Sequence, residues 1–329
     1  MAANAISGRP RILSIGGGTG LSTLLRGLKK FQAELSVIVA VTDDGGSSGR
    51  LREELGAIPP GDIRNCMIAL SEDENLMSRL FRFRFSSDGA LHNHSFGNLF
   101  LTAMAGVTSD FAEAVRLTSE VLAIKGTIYP STNSSVQLRA ELEDGSWVDG
   151  ETRITGSRER IKRVVLNPPD TLPLPDALKD IEAADVITIG PGSLYTSLVP
   201  NMLVKEVTAA IRKASAIKIY IQNIMTQPGE TDGYSAADHV MALAGHCNGE
   251  ILFPNVLLNA RVPSAQMLKR YDAEHATLVE NDHHQLQSLG LKLVERDLLA
   301  EDGVIRHDPD RLARAVFEIA ESFRIVRYG

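Results

Sequence analysis

The chain has 329 residues, of which 43% are apolar and 23% are charged, a composition typical of a folded globular protein. Its 34 lysines and arginines and its 41 aspartates and glutamates give a net charge of −7. This acidic balance argues against a broad nucleic-acid-binding surface, which needs clustered basic residues. The two cysteines, Cys66 and Cys247, argue against a disulfide framework or a structural zinc site and favour a reducing compartment.

Residues 1–10 are mostly small or polar, and we expect them to form a flexible tail. They lack the apolar stretch of a secretory signal. No segment of the chain approaches the roughly 18 consecutive apolar residues that a transmembrane helix needs. We therefore expect residues 11–329 to form a single α/β domain in the cytoplasm, with no nucleic-acid or membrane partner.

The first unit after the tail has the pattern of a strand, a glycine loop and a helix. Arg11–Ile15 is a short apolar run, and Gly16–Gly20 follows it with four glycines in five residues. Leucines at positions 21, 24, 25 and 28 then share one face of a helix. The loop is not a dinucleotide-binding fingerprint, because Leu21 stands where its third glycine is required, and it lacks the lysine of a P-loop.

This glycine loop is a candidate phosphate site. A backbone without side chains can pass close to a ligand and direct its N–H groups at phosphate oxygens from the start of a helix. The candidate residues are Gly17, Gly18, Thr19 and Gly20. The alternative is a tight strand-to-helix turn that binds no ligand.

Two adjacent aspartates, Asp43 and Asp44, follow the next apolar run, Ser36–Thr42, which has the pattern of a buried parallel strand. Their carboxylates can bind a ribose or sugar hydroxyl or hold a divalent cation. Alternatively, they form a turn that caps the following loop. The glycine-rich segment Gly45–Gly49 is predicted to be mobile and is a second candidate for anion binding.

Two helices that follow carry further polar candidates. One begins near Asp62, which we expect to be the N-cap of that helix, and Arg64 and Asn65 in its first turn are candidates for a polar role. The other begins near Ser95, and its Asn98 is a candidate to face the ligand. Beyond them, residues 129–175 are predicted to form a small antiparallel insertion, with a hairpin turn at 144–145.

The parallel pattern returns after the insertion. Asp185–Ile189 is a predicted strand that leads into a second glycine loop, Gly190-Pro191-Gly192-Ser193, and a later strand leads to Asn223. We predict a Rossmann-like, doubly wound and mostly parallel sheet with helices on both faces. Ligands of such sheets bind at the carboxyl ends of the strands, where the strand order reverses.

The second loop is therefore expected to face the first across this switch point. Gly190, Gly192 and Ser193 would then complete a cradle that spans a diphosphate, with the Ser193 hydroxyl donating to a phosphate oxygen and Asn223 on a third wall. A capped turn without ligand is the alternative. Tyr271 and Arg306, far along the chain, are candidates to stack on a base and to clamp a diphosphate.

These motifs together resemble the YvcK-type gluconeogenesis factor family, within the CofD-like superfamily of 2-phospho-L-lactate transferases. The resemblance runs from about Arg11 to Leu312. It rests on the segments GGGTGLSTLLRGLK, VTDDGGSSGRLR, PPGDIRNC, HSFGNLFL, IGPGSLYTSLVPN and QNIMTQPGET.

The resemblance implies a cytosolic protein that binds a uridine-diphosphate sugar, such as UDP-N-acetylglucosamine or UDP-glucose. It also implies a regulatory role in cell shape and in growth on gluconeogenic carbon, through protein partners or a homo-oligomer. It assigns the nucleotide site to the glycine-loop candidates, to Asn98, Asn223, Tyr271 and Arg306. From the transferases it carries over Mg²⁺ on Asp43 or Asp44 and on Asp62.

Two functional classes follow from these observations. The first is a sugar-nucleotide-binding regulator that does not transform its ligand. The second is a metal-dependent transferase that moves a phosphate-containing group from a nucleotide conjugate. The sequence shows no nucleophile motif, and we favour the binding protein over the enzyme.

Overall fold

A computed structural model describes residues 8–71, 76–86, 88–157 and 159–328. The strands are β1 (Arg11–Gly16), β2 (Glu34–Val39), β3 (Thr127–Pro130), β4 (Gln137–Leu142), β5 (Trp147–Asp149), β6 (Ile161–Asn167), β7 (Val186–Ile189), β8 (Ile217–Ile221), β9 (Asn255–Asn259), β10 (Lys292–Arg296), β11 (Leu299–Ala300) and β12 (Arg306–His307).

The helices flank these strands. They are α1 (Gly18–Leu28), α2 (Gly46–Leu55), α3 (Gly61–Leu70), α4 (Leu76–Arg82), α5 (Phe96–Thr108), α6 (Phe111–Val121), α7 (Glu151–Thr155), α8 (Pro175–Ala183), α9 (Val199–Leu203), α10 (Val207–Lys213), α11 (Ala236–Gly245), α12 (Ala265–Asp272), α13 (His283–Ser288) and α14 (Pro309–Tyr328), with a π-helical turn over Leu194–Leu198.

Seven strands form one parallel sheet in the order β10-β9-β8-β7-β1-β2-β3. The chain starts in the middle at β1, builds β2 and β3 to one side, and then returns to build β7 to β10 on the other. The strand order therefore reverses between β1 and β7, which pair in parallel up to Ile15 and Ile189. The predicted doubly wound sheet is confirmed, and the two glycine loops leave adjacent strands at its switch point.

The sheet and the helices bury one continuous apolar core. All four residues of β7 and the last five of β1 are buried, as expected for parallel strands covered on both faces. Helix α1 buries the leucines at 21, 24, 25 and 28, the face that the sequence periodicity predicted. On its outer side α1 packs against α14, and Phe31 stacks on Phe317 with ring centroids 4.8 Å apart.

A three-stranded antiparallel sheet, in the order β5-β4-β6, lies inside the segment predicted as an insertion. The predicted boundary at residue 129 differs from the structure, because Tyr129 and Pro130 belong to β3, the edge strand of the parallel sheet. Helix α7 joins β5 to β6 and fixes this small sheet to the rest of the molecule. The Oδ1 atom of Asp44 accepts hydrogen bonds from the backbone N–H and the hydroxyl of Thr152, at 2.8 and 2.7 Å.

Other local predictions also differ from the structure. Gly45–Gly49, predicted as a mobile loop, instead forms the N-cap and first turn of α2. The predicted tail lies largely outside the described residues, since only residues 8–10 of it are described. In the described part of the chain, no helix combines the length and the apolar character that crossing a membrane requires.

The contact between α1 and α14 generates a test of the packing. A Cβ atom on Gly27 would collide with the carbonyl oxygen of Pro309 and would lie 2.6 Å from the Cβ of Ala313. We expect Gly27→Ala to lower the free energy of unfolding by about 1–3 kcal/mol, because the two helices would be forced apart. Chemical denaturation measures this change.

Gly106, inside α5, provides the matched control. A Cβ atom there meets open space, so Gly106→Ala should raise the free energy of unfolding by about 0.5–1 kcal/mol through helix propensity alone. If Gly27→Ala were as stable as Gly106→Ala, the described packing of α1 on α14 would be wrong.

Candidate functional site

The two glycine loops are in direct contact at the carboxyl edge of the sheet. A Cβ atom on Gly20 would collide with the carbonyl group of Pro191 and would lie 3.0 Å from the amide nitrogen of Gly192. A Cβ atom on Gly192 would lie 3.4 Å from the carbonyl oxygen of Gly17. The backbones of the two loops therefore approach each other more closely than any side chain at Gly20 would allow.

A cavity of about 530 Å³ opens beside this contact, within the size range of small-molecule sites. Its walls come from both glycine loops, from the loop after β8 and from the segments around α12 and β12. Seven of the predicted site residues line it, namely Thr19, Gly20, Gly192, Ser193, Asn223, Tyr271 and Arg306.

The start of α1 provides backbone donors at the cavity wall. Gly18 has a φ of +64°, a conformation that favours glycine, and the N-cap residue Gly17 has no side chain with which to cap the helix. Thr19 and Gly20 lie in the first helical turn, where backbone N–H groups have no carbonyl partner within the helix. Together with the helix dipole, these N–H groups favour an anion at this wall.

Two amides that the sequence assigned to phosphate binding are already engaged by side chains. The Gly18 N–H donates to Oδ2 of Asp62 at 2.7 Å. The Gly192 N–H donates to Oδ1 of Asn223 at 3.1 Å, and the Asn223 amide donates back to the Gly192 carbonyl at 2.7 Å. Asn223 thus holds the second loop in shape, and Thr19, Gly20 and Arg306 remain the candidates for anion binding.

Arg306 and Tyr271 also line the cavity, from the segments around β12 and α12. Among the described residues that line the cavity, Arg306 is the only arginine or lysine, and it is exposed. The hydroxyl of Tyr271 accepts the backbone N–H of Ile305 at 2.9 Å, which fixes the ring beside β12. A cation and an aromatic ring are thereby held on one side of the cavity.

The remaining predicted residues lie outside the cavity lining. Gly190 has a φ of +84°, and a Cβ atom there would lie 2.9 Å from the carbonyl oxygen of Ile221. Glycine is therefore required at this position by the turn that follows β7. Asn98 is buried, where its Oδ1 accepts a hydrogen bond from Arg64 at 2.9 Å. Gly17 lies on the side of the first loop that faces Asp62.

Several carboxyl groups on or near that side of the first loop lie close enough to affect one another's pKa. Burial, opposed by the hydrogen bond from Gly18 and assisted by the charge of Asp43, raises the pKa of Asp62 to about 6. Burial, followed by the charges of Asp43 and Asp62, raises the pKa of Glu151 to about 9. Burial also raises the pKa of Glu230 to about 7. We call Asp43, Asp62, Glu151 and Glu230 the acidic cluster.

The acidic cluster has the oxygen donors that Mg²⁺ prefers, but it is not a preformed metal site. No group of three or more histidine, cysteine, aspartate or glutamate side chains in the described part of the chain is arranged to hold a metal ion. Asp44 caps α7 through Thr152, and Asp43, unlike Asp44, acts on the pKa of Asp62. The electrostatic interaction and the hydrogen bonds of Asp44 therefore favour Asp43 over Asp44 as the partner of Asp62.

Two carboxyl groups of this region had no signal in the sequence. Glu151 belongs to the insertion and reaches the site only because α7 packs there, where the carbonyl of Thr155 lies against Gly229. Glu230 lies in the loop after β8, which the sequence marked as a third wall without naming this residue. A side chain that arrives from a separate sheet cannot be found from local spacing.

Comparison with known proteins gives consistent matches over nearly the whole chain. The family model described as 2-phospho-L-lactate transferase CofD matches residues 12–299. A relative from Nostoc sp. is 49% identical over 311 residues, which cover 94% of this chain and 68% of the relative. The gluconeogenesis factor of Bacillus subtilis is 46% identical over 312 residues, which cover 94% of this chain and 98% of that protein.

A solved structure matches as well. A member of the UPF0052 family from Bacillus halodurans is 46% identical and superposes with a TM-score of 0.91, covering 94% of this chain and 99% of that one. The fold described above is thus shared with an experimentally determined structure.

The raised pKa values of the acidic cluster predict how stability depends on pH. A carboxyl group whose pKa is raised on folding contributes stability that is complete below its unfolded pKa and is lost as the pH rises through the folded value. In a buffer with a chelator, we expect the contribution of these three carboxyl groups to the free energy of unfolding to decrease from about pH 5 to about pH 9. Because Glu151 has the most raised pKa of the three, Glu151→Gln should increase the melting temperature by several degrees at pH 8 and leave it unchanged at pH 4.

Glu182, an exposed residue of α8, provides the control. Thermal denaturation of Glu182→Gln should follow the wild type at both pH values. Equal melting temperatures for Glu151→Gln and the wild type at pH 8 would contradict the described burial of Glu151.

Proposed function

The chain belongs to the CofD family, and from this premise we propose that it is a gluconeogenesis factor that binds a UDP-sugar in the cavity beside its two glycine loops, without transforming it. The observation that carries this proposal is the contact of Gly20 with Gly192, which joins the two loops at the switch point of the sheet and makes one wall of the cavity. The relatives named gluconeogenesis factors support the role.

The chemistry of the cavity walls fits the parts of such a ligand. The first-turn amides of α1 and the Arg306 guanidinium favour the diphosphate. The Tyr271 ring supports stacking of the uracil base, and the polar side chains of the second loop and of the loop after β8 are available to the sugar.

As a binding protein, the chain would change its conformation or its oligomeric state when the ligand binds, because a ligand stabilises the conformation that it binds best. In this proposal, a cytoplasmic partner protein or a second copy of the chain binds the ligand-bound conformation selectively. The regulated outcome would be cell shape and growth on gluconeogenic carbon.

The acidic cluster favours a second candidate function. A divalent cation between Asp43 and Asp62 would neutralise buried charge beside Gly17 and Gly18, and transferases that move phosphate-containing groups use such a cation to polarise the phosphoryl oxygens. The family description names a transferase, which adds weight to this alternative.

The two candidates are separated by ligand binding and turnover. We expect UDP-N-acetylglucosamine or UDP-glucose to raise the melting temperature, since a ligand at 100 times its Kd adds about 2.7 kcal/mol of stability. NAD should give no shift, and GDP a smaller one. Mass spectrometry of the same mixtures with Mg²⁺ should show the ligand unchanged.

Two results would contradict the proposal. A shift with GDP but with neither UDP-sugar would assign the cavity to another nucleotide. A Mg²⁺-dependent product that disappears in Asp62→Asn would favour the transferase.

Arg306 tests the assignment of the diphosphate. Arg306→Met should weaken UDP-sugar binding about tenfold to a hundredfold, because charged hydrogen bonds to phosphate are lost while the aliphatic part of the side chain is kept. Isothermal titration calorimetry measures this change. Arg116→Met, on the exposed face of α6, should bind like the wild type. Equal affinities of Arg306→Met and the wild type would place the diphosphate elsewhere.

A further inference from the structure

Ser193, Gln227 and Glu230 form a hydrogen-bonded series that leads from the cavity into the core. Ser193 and Gln227 line the cavity, whereas Glu230 lies behind them with 2% of its surface exposed. The Ser193 hydroxyl lies 2.6 Å from Oε1 of Gln227, and Nε2 of Gln227 lies 2.9 Å from Oε1 of Glu230. The sequence analysis predicted that the Ser193 hydroxyl donates to a phosphate oxygen, and the direction of the hydrogen bonds in this series decides whether that hydroxyl is available as a donor.

The buried end of the series fixes its direction. The two oxygens of Glu230 accept hydrogen bonds from the Tyr195 N–H at 3.1 Å and from the Thr196 hydroxyl at 2.9 Å. An ionised carboxylate only accepts, so the Gln227 amide must turn its nitrogen towards Glu230 and its oxygen towards Ser193. An amide oxygen cannot donate, and the single hydroxyl proton of Ser193 is therefore committed to Gln227.

We infer that Ser193 is a specificity-determining residue that accepts a hydrogen bond from an O–H or N–H group of the ligand, and that Glu230 sets this polarity through Gln227. The inference rests on the proposed function, because it names the part of the UDP-sugar that meets the second loop. A phosphate oxygen at neutral pH offers no proton, so it cannot satisfy this acceptor. A hydroxyl of the sugar or ribose, or the N3–H of uracil, can.

The two loops would therefore bind different parts of the ligand. The first loop and Arg306 present donors and favour the acceptor-only diphosphate. Ser193 presents an acceptor and favours the donor-bearing part of the ligand. A site with a fixed acceptor discriminates strongly against ligands that lack the matching donor, because its polar group is then left unpaired.

The test removes ligand donors one at a time. The parent ligand is whichever of UDP-glucose and UDP-N-acetylglucosamine binds the wild type. In its analogues each sugar and ribose hydroxyl is replaced in turn by fluorine, and N3 of uracil is methylated. Calorimetry at pH 8, above the pKa of about 7 that burial gives Glu230, yields each Kd. We expect one substitution to weaken binding to the wild type about tenfold but to have little effect in Ser193→Ala.

Glu230→Gln distinguishes polarity from mere structural support. The new amide would keep its oxygen on the Tyr195 N–H and turn its nitrogen towards Gln227, which reverses the Gln227 amide and makes Ser193 a donor. The tenfold preference for the hydroxyl over the fluorine ligand should then fall to about one. A purely structural role would weaken both ligands equally and leave their ratio unchanged.

The outcomes separate this inference from the function on which it rests. If neither UDP-sugar binds the wild type, the proposed function fails. If a UDP-sugar binds but every donor substitution costs the same in the wild type and in Ser193→Ala, the function stands and the inference is overturned. An unchanged hydroxyl-to-fluorine ratio in Glu230→Gln also overturns the assigned role of Glu230. Ser119→Ala, which removes a hydroxyl that donates to the Val115 carbonyl within α6 and lies outside the cavity lining, is the control and should behave as the wild type.

Discussion

The close approach of Gly20 to the Pro191–Gly192 peptide is the constraint on which the site depends. It exists because β1 and β7 are neighbours in the sheet although about 170 residues separate them in the chain. A side chain at Gly20 would push the loops apart and open the wall of the cavity. Asn223 adds to this constraint by holding both backbone groups of Gly192, so that the second loop is shaped before any ligand arrives.

Charge divides the region around the first loop into two parts. On the cavity side, the start of α1 and Arg306 favour an anion, whereas on the other side the carboxylates of Asp43 and Asp62 repel one. The Gly18 N–H, which donates to Asp62, marks the boundary between them. In the proposed function, this division favours a phosphate group at Thr19 and Gly20. The same boundary is where Asp43 and Asp62 would hold a cation if the chain were a transferase.

The sequence predicted those parts of the molecule that local pattern determines. The leucine periodicity of α1, the buried strand β7 and the glycine loops after β1 and β7 were readable because each depends on neighbouring residues. The topology rule for doubly wound sheets, which places ligands where the strand order reverses, was then enough to predict that the two loops lie next to each other. By contrast, the prediction of a mobile loop at Gly45–Gly49 was wrong, because glycine content alone cannot distinguish such a loop from the start of a helix such as α2.

Hydrogen bonds between side chains that are distant in the chain could not be predicted from the sequence. The commitment of Ser193 to Gln227, and of the Gly192 amide to Asn223, follows from contacts between residues that lie more than 30 positions apart in the chain.

The central claim is that the diphosphate of a UDP-sugar binds beside the two glycine loops. It is most directly tested by the crystal structure of the chain with a UDP-sugar bound. The account predicts the diphosphate within hydrogen-bond distance of the Thr19 and Gly20 amides and of Arg306. A diphosphate bound instead beside Asp43 and Asp62, or away from both glycine loops, would contradict it.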